Sequence, residues 1–246
     1  MHLLLPPSET KRDGGRDDAA LDLAALSFPE LTRQRRSALA GLRSLSRSIS
    51  ASYAGLGLGP TQRFEVDRNR AISTAPVMPA IERYTGVLYD GLDAASLPPA
   101  ARAFCDEHVL VQSALFGVIR ASDPIPAYRL SHDSKLPGLS LRRHWRQPST
   151  VVLGTLPGLL IDLRSESYAT LGDTPDGAVY LRVVSETAGG RRVALSHFNK
   201  SAKGEFVRAV CLAGVEHDTV ESLLAWGASV GIRLEVGAPG ELELVT

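Results

Sequence analysis

Short apolar runs alternate with amphipathic stretches along the chain, and this alternation constrains the fold more than any other feature. Patterns typical of strands cover residues 2–5, 109–111, 159–163, 179–185, 192–198, 232–236 and 242–245. Helical spacing covers 28–49, about 77–92, a segment after Ser96, 202–213 and 218–230. The interleaving predicts an α/β fold with a mixed sheet and surrounding helices.

Local signals mark where some of these elements begin and turn. Ser27-Phe28-Pro29-Glu30 has the spacing of a capping box, which predicts the start of the first helix. Gly189-Gly190 and the Gly-Ala-Pro-Gly of residues 237–240 each separate two strand patterns. Both are therefore predicted to be hairpin turns.

Length and composition favour one soluble domain in the cytoplasm. A chain of 246 residues, 44% of them hydrophobic, can build a core without disulfides, and no linker divides it, so we expect a single domain over residues 1–246. The Leu3-Leu4-Leu5 run lacks the basic region of a signal peptide, and two cysteines suit a reducing compartment. No apolar stretch approaches the roughly 20 residues of a membrane helix, so no membrane partner is expected.

Motifs of several common enzyme and metal-binding classes are missing from the sequence. There is no Walker loop, no dinucleotide-binding glycine motif, no zinc protease motif and no nucleophile elbow. The six histidines are scattered, and the stretch from Cys105 to His108 lacks a second pair of ligands. We therefore expect no metal site and no cofactor.

Basic residues are concentrated in the first two-thirds of the chain, although the formal net charge is zero. Eight arginines lie between positions 33 and 70, namely Arg33, Arg35, Arg36, Arg43, Arg47, Arg63, Arg68 and Arg70. Most of them fall off the apolar stripe of the predicted helix over 28–49. They either belong to solvated helix faces or contact a ligand, and the sequence leaves both interpretations open.

Polar clusters follow several predicted strands directly. Residues 8–11 follow the first strand, 165–168 follow the strand over 159–163, and 199–205 follow the strand over 192–198. Since ligands of α/β sheets bind at the carboxyl ends of strands, these clusters are expected to meet in one cleft. For each cluster, an ordinary surface loop is the alternative.

A further polar stretch follows the apolar residues 113–119. It carries Arg120, Asp123, Tyr128 and Arg129 in a loop with two prolines. Arginine forks suit bidentate contacts with phosphate or carboxylate, whereas an Arg120–Asp123 pair that ties the loop together is the alternative.

Taken in order, these pieces resemble the peroxide stress protein YaaA family of bacteria. The resemblance rests on Pro-Ser-Glu-Thr at 7–10, Tyr-Thr-Gly at 84–86, the run from Gly-Val-Ile-Arg at 117–120 to Pro-Ala-Tyr-Arg-Leu at 126–130, Trp145, and residues 162–168 and 199–208. It implies a single α/β domain with a basic cleft, a cytoplasmic location, DNA binding, and protection against peroxide by limiting the free iron that damages DNA. Family members also carry an element like a helix-hairpin-helix. Two positions depart from the family pattern: Glu9 stands where several relatives have lysine, and Ala121 where proline is usual.

Two functional hypotheses follow for the cleft. In the first, the cleft binds DNA phosphates through five cations: Arg120, Arg129, Lys200, Lys203 and Arg208. The residues expected to line the cleft are Thr10, Tyr84, Thr85, Gly86, Tyr128, Trp145, Ser165 and Tyr168. Of these, the rings of Tyr84, Trp145 or Tyr168 could stack on an exposed base. In the second, the protein is an enzyme acting on a small phosphorylated or nucleotide-like ligand, with Thr10, Glu166 and Lys203 as candidate catalytic residues. Glu166 would serve either as the anchor of a basic side chain or as a general base or metal ligand. Direct iron binding lacks a visible ligand set.

Overall fold

The computed structural model describes residues 1–186, 192–194 and 199–246, with the backbone alone for 192–194. The strands of this part are β1 (His2–Leu5), β2 (Met78–Pro79), β3 (Val109–Ser113), β4 (Gly117–Arg120), β5 (Pro124–Ile125), β6 (Leu160–Asp162), β7 (Val179–Glu186), β8 (Arg192–Ala194), β9 (Leu234–Val236) and β10 (Glu241–Val245). Its helices are α1 (Thr32–Leu45), α2 (Ile49–Leu56), α3 (Arg63–Ala71), α4 (Ala80–Arg83), α5 (Val87–Leu92), α6 (Pro99–His108), α7 (Leu141–Gly154), α8 (Glu166–Ala169), α9 (Asn199–Ala213) and α10 (Val220–Ser229).

The main sheet is mixed, with a parallel centre. Its order across the described residues is β4-β3-β1-β6-β7-β10-β9, and β8 pairs with β7. The strands β3, β1, β6, β7 and β10 run parallel to one another, whereas β4, β8 and β9 are antiparallel to their neighbours. The prediction of an α/β fold with a mixed sheet and surrounding helices is confirmed.

The first strand lies at the centre of this sheet. Leu3 pairs with Val109 of β3 on one side and with Ile161 of β6 on the other. Leu3, Leu4 and Leu5 are all fully buried. Because both faces of a central parallel strand are covered by other elements, such a strand has an unbroken apolar run rather than an alternating pattern.

Strand β4 reverses direction after a tight turn that packs against α7. Gly117 has φ of +68°, and a Cβ there would lie 2.5 Å from the Trp145 ring. The Trp145 side chain is fully buried, and its Nε1 donates a hydrogen bond of 2.8 Å to Ala114 O. Trp145 therefore packs beneath the β3–β4 turn and does not reach a cleft, so its predicted place among the cleft-lining residues is wrong.

The first predicted helix is shorter than expected and starts differently. Ser27 does not cap it: the Ser27 hydroxyl donates to the Asp123 carboxylate at 2.7 Å, and Phe28 takes a left-handed conformation with φ of 60°. A 3-10 turn over Pro29–Leu31 leads into α1, which ends at Leu45. The Asp123 carboxylate, 96 residues away in the sequence, binds the Ser27 hydroxyl that would otherwise cap the helix. A local capping pattern cannot reveal such a distant partner.

The predicted helix over about 77–92 is divided into two. Helix α4 ends at Arg83 and α5 begins at Val87, with Gly86 between them at φ of +99°. The break places Tyr84-Thr85-Gly86 at the edge of the sheet where β1 ends, since the Thr85 N–H donates to Thr10 O at 3.2 Å. The residues at this break, Thr85 and Gly86, line the cleft described below.

Both hairpins predicted late in the chain contain an antiparallel pair of strands, but the turn of the first one is not described. The antiparallel pair β9–β10 is confirmed, with Leu242 opposite Val236. Strand β8 pairs antiparallel with β7 as predicted, but Gly189-Gly190 and residues 195–198 lie outside the described residues. Among the helices of the described part, none combines the length and apolarity that a membrane span requires.

Candidate functional site

A cleft of about 480 Å³ lies at the edge of the sheet where β1 and β6 end. Its walls come from the segments after these two strands, the start of α5 and the start of α9. Among the predicted site residues, it is lined by Thr10, Thr85, Gly86, Ser165, Tyr168 and Lys200. We call it the carboxyl-edge cleft, and it brings together residues as far apart in the sequence as Pro6 and Lys200.

One corner of the cleft is a cluster of hydroxyl groups. The Thr85 hydroxyl donates to Thr10 Oγ1 at 3.0 Å, and Ser8 Oγ lies 3.2 Å from Thr10 Oγ1. A Cβ on Gly86 would lie 3.5 Å from Ser8 Oγ and 3.6 Å from Thr10 Oγ1. Glycine at this position therefore keeps the hydroxyl corner free of a covering side chain.

The buried side chain of Lys11 fixes the loop that carries this corner. Its ammonium donates to Ser8 O at 2.8 Å and to Glu9 O at 3.2 Å, and it lies 4.2 Å from the centre of the Tyr128 ring. Burial lowers the pKa of Lys11 to about 7. In the sequence, Lys11 belongs to the polar cluster over 8–11 but has no predicted role of its own. The scarcity of lysine, with four in the chain, was the signal that could have singled it out.

Tyr84 and Tyr128 lie beneath the cleft rather than on its surface. Their hydroxyl oxygens are 2.8 Å apart, and the Tyr128 hydroxyl is 2.7 Å from Ser113 Oγ. Burial raises the pKa of both tyrosines well above the ordinary value. Both rings are almost fully enclosed, so the predicted stacking of Tyr84 on a base does not fit its position.

Lys203 and Arg129 are both engaged by neighbouring groups. The Lys203 ammonium is buried, donates to Leu163 O at 3.0 Å and lies 4.9 Å from the centre of the Tyr180 ring. Burial lowers the pKa of Lys203 to about 8. The Arg129 guanidinium pairs with the Glu9 carboxylate at 2.5 Å. Their contacts hold the loops around the carboxyl-edge cleft in place.

Arg208 also makes structural contacts. Its guanidinium donates to Leu92 O and to Asp93 O, each at 2.9 Å, and so ties α9 to the end of α5. These carbonyls belong to the last residue of the six-residue helix α5 and to its C-cap, where peptide carbonyls have no partner within the helix. Arg208 thus acts at the C-terminus of α5 and is not one of the cleft residues.

Arg120 lies at the opposite edge of the sheet, so the expectation that it joins the carboxyl-edge cleft is wrong. Strand β4 is antiparallel to β3, and its last residue therefore faces the amino ends of the parallel strands. There Arg120 lines a separate concavity with His2 and His108, and its guanidinium donates to Glu107 O. The Asp123 carboxylate accepts from the Arg120 backbone N–H at 3.1 Å, so Asp123 holds the loop through the main chain.

Glu166 begins the short helix α8 and is mostly exposed. Among the described residues, Glu166 pairs with Arg182 at 3.9 Å, and Arg182 already forms a fork to Glu241 at 2.6 and 3.0 Å. Glu166 does not belong to the residues that line the cleft.

Replacing Glu166 with glutamine is therefore expected to leave the free energy of unfolding within about 0.5 kcal/mol of wild type, because an exposed pair at this distance contributes little. Urea denaturation measures the change. Glu241→Gln is the matched variant and should cost more, since it removes the closer fork. A loss for Glu166→Gln as large as for Glu241→Gln would contradict the described geometry.

A second basic surface runs along α1. Arg33, Arg36 and Arg43 on the helix and Arg47 just beyond it are all exposed, and we call these four the arginine face. Their spacings of three, seven and four residues place them on one side of a helix. Helix α1 contains no acidic residue, and none of the four forms an ion pair with another residue of the described part.

Neighbouring side chains extend this surface at both ends. Arg43 and Arg47 surround a shallow pocket of about 320 Å³ together with Arg70 of α3. Arg33 lines another, of about 400 Å³, with Arg143 and His144 of α7. Arg35, in contrast, points into the protein, where it donates to Phe116 O and Val118 O, both at 2.9 Å. The sequence identified the arginine cluster but could not separate exposed members from buried ones.

Metal ligation has no visible basis in the part of the chain that the structure describes. No group of three or more His, Cys, Asp or Glu side chains there is arranged to hold a metal ion. Cys105 and Cys211 are both buried and free. The described geometry thus contains a cleft and an arginine face as its two candidate binding surfaces.

Comparison with known proteins assigns the chain to a family. A family model described as peroxide stress protein YaaA matches residues 1–230. A UPF0246 protein of Corynebacterium glutamicum strain R is 43% identical over 251 positions, which cover 100% of this chain and 99% of the relative. A UPF0246 protein of Corynebacterium efficiens is also 43% identical with full coverage of both, and one of Streptomyces coelicolor is 40% identical, covering 98% of this chain and 94% of the relative. The chain therefore belongs to the peroxide stress protein YaaA family.

Proposed function

We propose that this protein is a cytoplasmic peroxide-stress protein that binds DNA through the arginine face and helps to limit iron-dependent oxidative damage. The observation that carries the proposal is the row of Arg33, Arg36, Arg43 and Arg47, exposed and without a carboxylate partner among the described residues. Family membership supports the link to peroxide stress. The arginine face supports the link to DNA.

The dimensions of the arginine face suit a phosphate backbone. From Arg33 to Arg43, α1 extends roughly 15 Å along its axis at 1.5 Å per residue. Each DNA strand presents one phosphate about every 3.4 Å along the duplex axis, so several phosphates come within reach of this row. Guanidinium groups without a partner can each form bidentate contacts with phosphate oxygens. The pocket at one end of the row adds Arg143, whereas Arg70 at the other end is paired with Asp67 at 3.2 Å.

The carboxyl-edge cleft suits a duplex less well. Of the five cations that the sequence assigned to phosphates, Arg129, Lys203 and Arg208 are held by protein groups and Arg120 lies at the other edge, which leaves Lys200 on the cleft. A single lysine does not form a basic band. The proposal therefore moves the DNA contacts to α1.

The enzyme hypothesis receives no comparable support from the candidate catalytic residues. Thr10 lines the cleft, but Lys203 is bonded to Leu163 O and Glu166 is exposed beside Arg182. These three groups do not form an acid-base arrangement around one position. DNA binding is consequently the function that we propose.

Salt-dependent DNA binding tests this proposal. In the triple variant Arg33→Gln, Arg36→Gln, Arg43→Gln, the slope of log affinity against log salt should become shallower by about 2.7, because each lost phosphate contact contributes about 0.9. Fluorescence anisotropy with a labelled duplex at several salt concentrations measures the slope.

The control is a second triple variant with the same loss of charge: Arg12→Gln, Arg16→Gln, Arg233→Gln. These arginines are exposed but lie outside the arginine face. Glutamine preserves much of the helix propensity, so α1 should stay folded. Equal slopes for the two triple variants would refute DNA binding through α1.

A further inference from the structure

We infer that the carboxyl-edge cleft is a binding site for a nucleotide-sized organic phosphate, separate from the arginine face. In this site Lys200 contacts the phosphate, the hydroxyl corner of Ser8, Thr10 and Thr85 bonds the polar middle of the ligand, and the apolar wall packs against its flat ring. The inference goes beyond DNA binding and does not depend on it.

The size and surface of the cleft carry the first step. A volume of about 480 Å³ is typical of pockets that enclose a small organic molecule, and it exceeds what a bare inorganic ion needs. Pro6, Pro7, Val87 and Leu88 provide an apolar wall. Tyr168, whose ring centre lies 5.0 Å from that of His132, continues this wall. A mostly apolar lining with a few polar groups favours a ligand that has a flat hydrophobic part.

The hydroxyl corner carries the second step. Thr10 Oγ1 lies 3.0 Å from Thr85 Oγ1 and 3.2 Å from Ser8 Oγ. The Thr85 and Thr10 hydroxyls donate within this cluster, to Thr10 Oγ1 and Thr85 O, so their oxygens are left to accept and the Ser8 hydroxyl is left to donate or accept, which suits the hydroxyls of a sugar. Gly86 leaves them uncovered, and a side chain at this position would approach Ser8 Oγ and Thr10 Oγ1 to about 3.5 Å. This corner is thus built open toward the cleft.

Charge carries the third step. Lys200 is exposed on the cleft and forms no ion pair with any residue that the structure describes. Glu9, the carboxylate on the lining, is neutralised by Arg129 at 2.5 Å. Among the described residues that line the cleft, Lys200 is therefore the positive charge without a compensating carboxylate, and an anionic group on the ligand is the complement of that charge.

Two buried lysines make the cleft rigid. Lys11 holds the carbonyls of Ser8 and Glu9, and Lys203 holds the carbonyl of Leu163, which follows β6. These bonds fix the loops after both strands before any ligand arrives. A preformed site loses less conformational entropy on binding, which distinguishes it from an incidental surface depression.

Isothermal titration calorimetry of the full chain tests the inference. The probes are the four ribonucleoside 5′-monophosphates, the corresponding nucleosides, ribose 5-phosphate and inorganic phosphate. At least one monophosphate should bind with one-to-one stoichiometry. Its nucleoside should bind about tenfold more weakly or worse, because the charge-assisted contact with Lys200 is lost.

Variants locate the site. Lys200→Ala should weaken binding of that monophosphate at least about tenfold, and the isosteric Thr10→Val should weaken it severalfold. Lys135→Ala is the matched control, since Lys135 is exposed but lies outside the cleft. The triple variant of the arginine face should bind the monophosphate as wild type does, so failure of DNA binding and failure of this site can be told apart.

Three results would overturn the inference. The first is that none of the monophosphates binds at millimolar concentration. The second is binding that is unchanged in both Lys200→Ala and Thr10→Val, which would place the ligand elsewhere. The third is inorganic phosphate or ribose 5-phosphate binding as tightly as the monophosphate, which would show that the apolar wall contributes nothing and that the ligand class is wrong.

Discussion

Replacing Gly204 with alanine is expected to destabilise the protein by about 3 kcal/mol or more, which is a large part of the stability of an ordinary domain. Gly204 lies in α9 where this helix crosses α5. A Cβ at this position would lie 2.0 Å from Leu88 O and 2.9 Å from Leu92 N. Both are backbone atoms, so no rotation of a side chain can relieve the overlap. The two helices would have to separate.

Urea denaturation measures this effect as a fall in the midpoint. The matched control is Gly154→Ala in α7, where no described atom outside the adjoining helix backbone lies within 4 Å of the added Cβ. Because alanine has the higher helix propensity, this control should leave the midpoint unchanged or raise it slightly. A wild-type midpoint for Gly204→Ala would mean that α5 and α9 do not pack as closely as described.

The same crossing supports the carboxyl-edge cleft. Helix α5 supplies Val87 and Leu88 to the cleft, and the first turn of α9 supplies Lys200. Arg208 ties the other end of α5 to α9 through Leu92 O. Gly204→Ala is therefore also expected to disturb ligand binding, which makes it unsuitable for locating the site and useful only for testing the packing.

The strands of the parallel centre could be predicted from the sequence because burial on both faces leaves a direct trace. The Leu3-Leu4-Leu5 run and the apolar residues from Val109 to Val111 form β1 and β3 almost as predicted. Polar residues directly after β1 and β6 also identified Thr10 and Ser165 as cleft residues, because parallel strands share one carboxyl edge.

Strand direction and helix α7 could not be predicted in the same way. The residues Gly117–Arg120 carry no local signal for an antiparallel strand. The antiparallel direction nevertheless places Arg120 at the edge of the sheet where the parallel strands begin, away from the carboxyl-edge cleft. Helix α7 contains Pro148 in its interior, and a proline there argues against a helix when only the sequence is known. Packing of Trp145 against the β3–β4 turn outweighs that local preference.

Burial of individual cations was the other feature beyond the reach of the sequence. Arg35 and Arg36 are neighbours with the same chemistry, yet Arg35 is fully buried and Arg36 is exposed. Lys200 and Lys203 are one helical turn apart, and only Lys203 is buried. The apolar periodicity indicates which side of a helix faces inward. It does not indicate which backbone carbonyls lie there to accept hydrogen bonds from a buried arginine or lysine. Phosphate contacts were consequently assigned to cations that the fold uses internally.

The unfolding free energy is expected to rise with pH between about 7 and 10 because of Lys11. Burial lowers the pKa of Lys11 to about 7 in the folded protein, whereas a lysine in the unfolded chain titrates near about 10.4. Between these values the unfolded chain binds one more proton at this side chain than the folded protein does. Stability therefore increases with pH, by up to about 1.4 kcal/mol per pH unit from this group.

Lys11→Met isolates the contribution, because methionine fills a similar volume without an amine. Below pH 7 both the folded and the unfolded wild type carry the charge, so the cost of burying it is greatest there. From pH 7 to pH 9 the free energy of unfolding of wild type should gain roughly 2 to 3 kcal/mol relative to that of Lys11→Met. Lys203, whose pKa is lowered to about 8, is present in both proteins, and its contribution cancels in the comparison.

Urea denaturation at intervals across this pH range provides the measurement, and Lys135→Met is the matched control for removing an exposed lysine. The control should run parallel to wild type, since it keeps Lys11 and removes only an exposed side chain. Parallel curves for wild type and Lys11→Met would contradict the enclosed position of Lys11 over the Tyr128 ring. Such curves would also mean that the Lys11 ammonium does not hold the carbonyls of Ser8 and Glu9 from a buried position. The inference that the carboxyl-edge cleft is preformed would then lose one of its two observations.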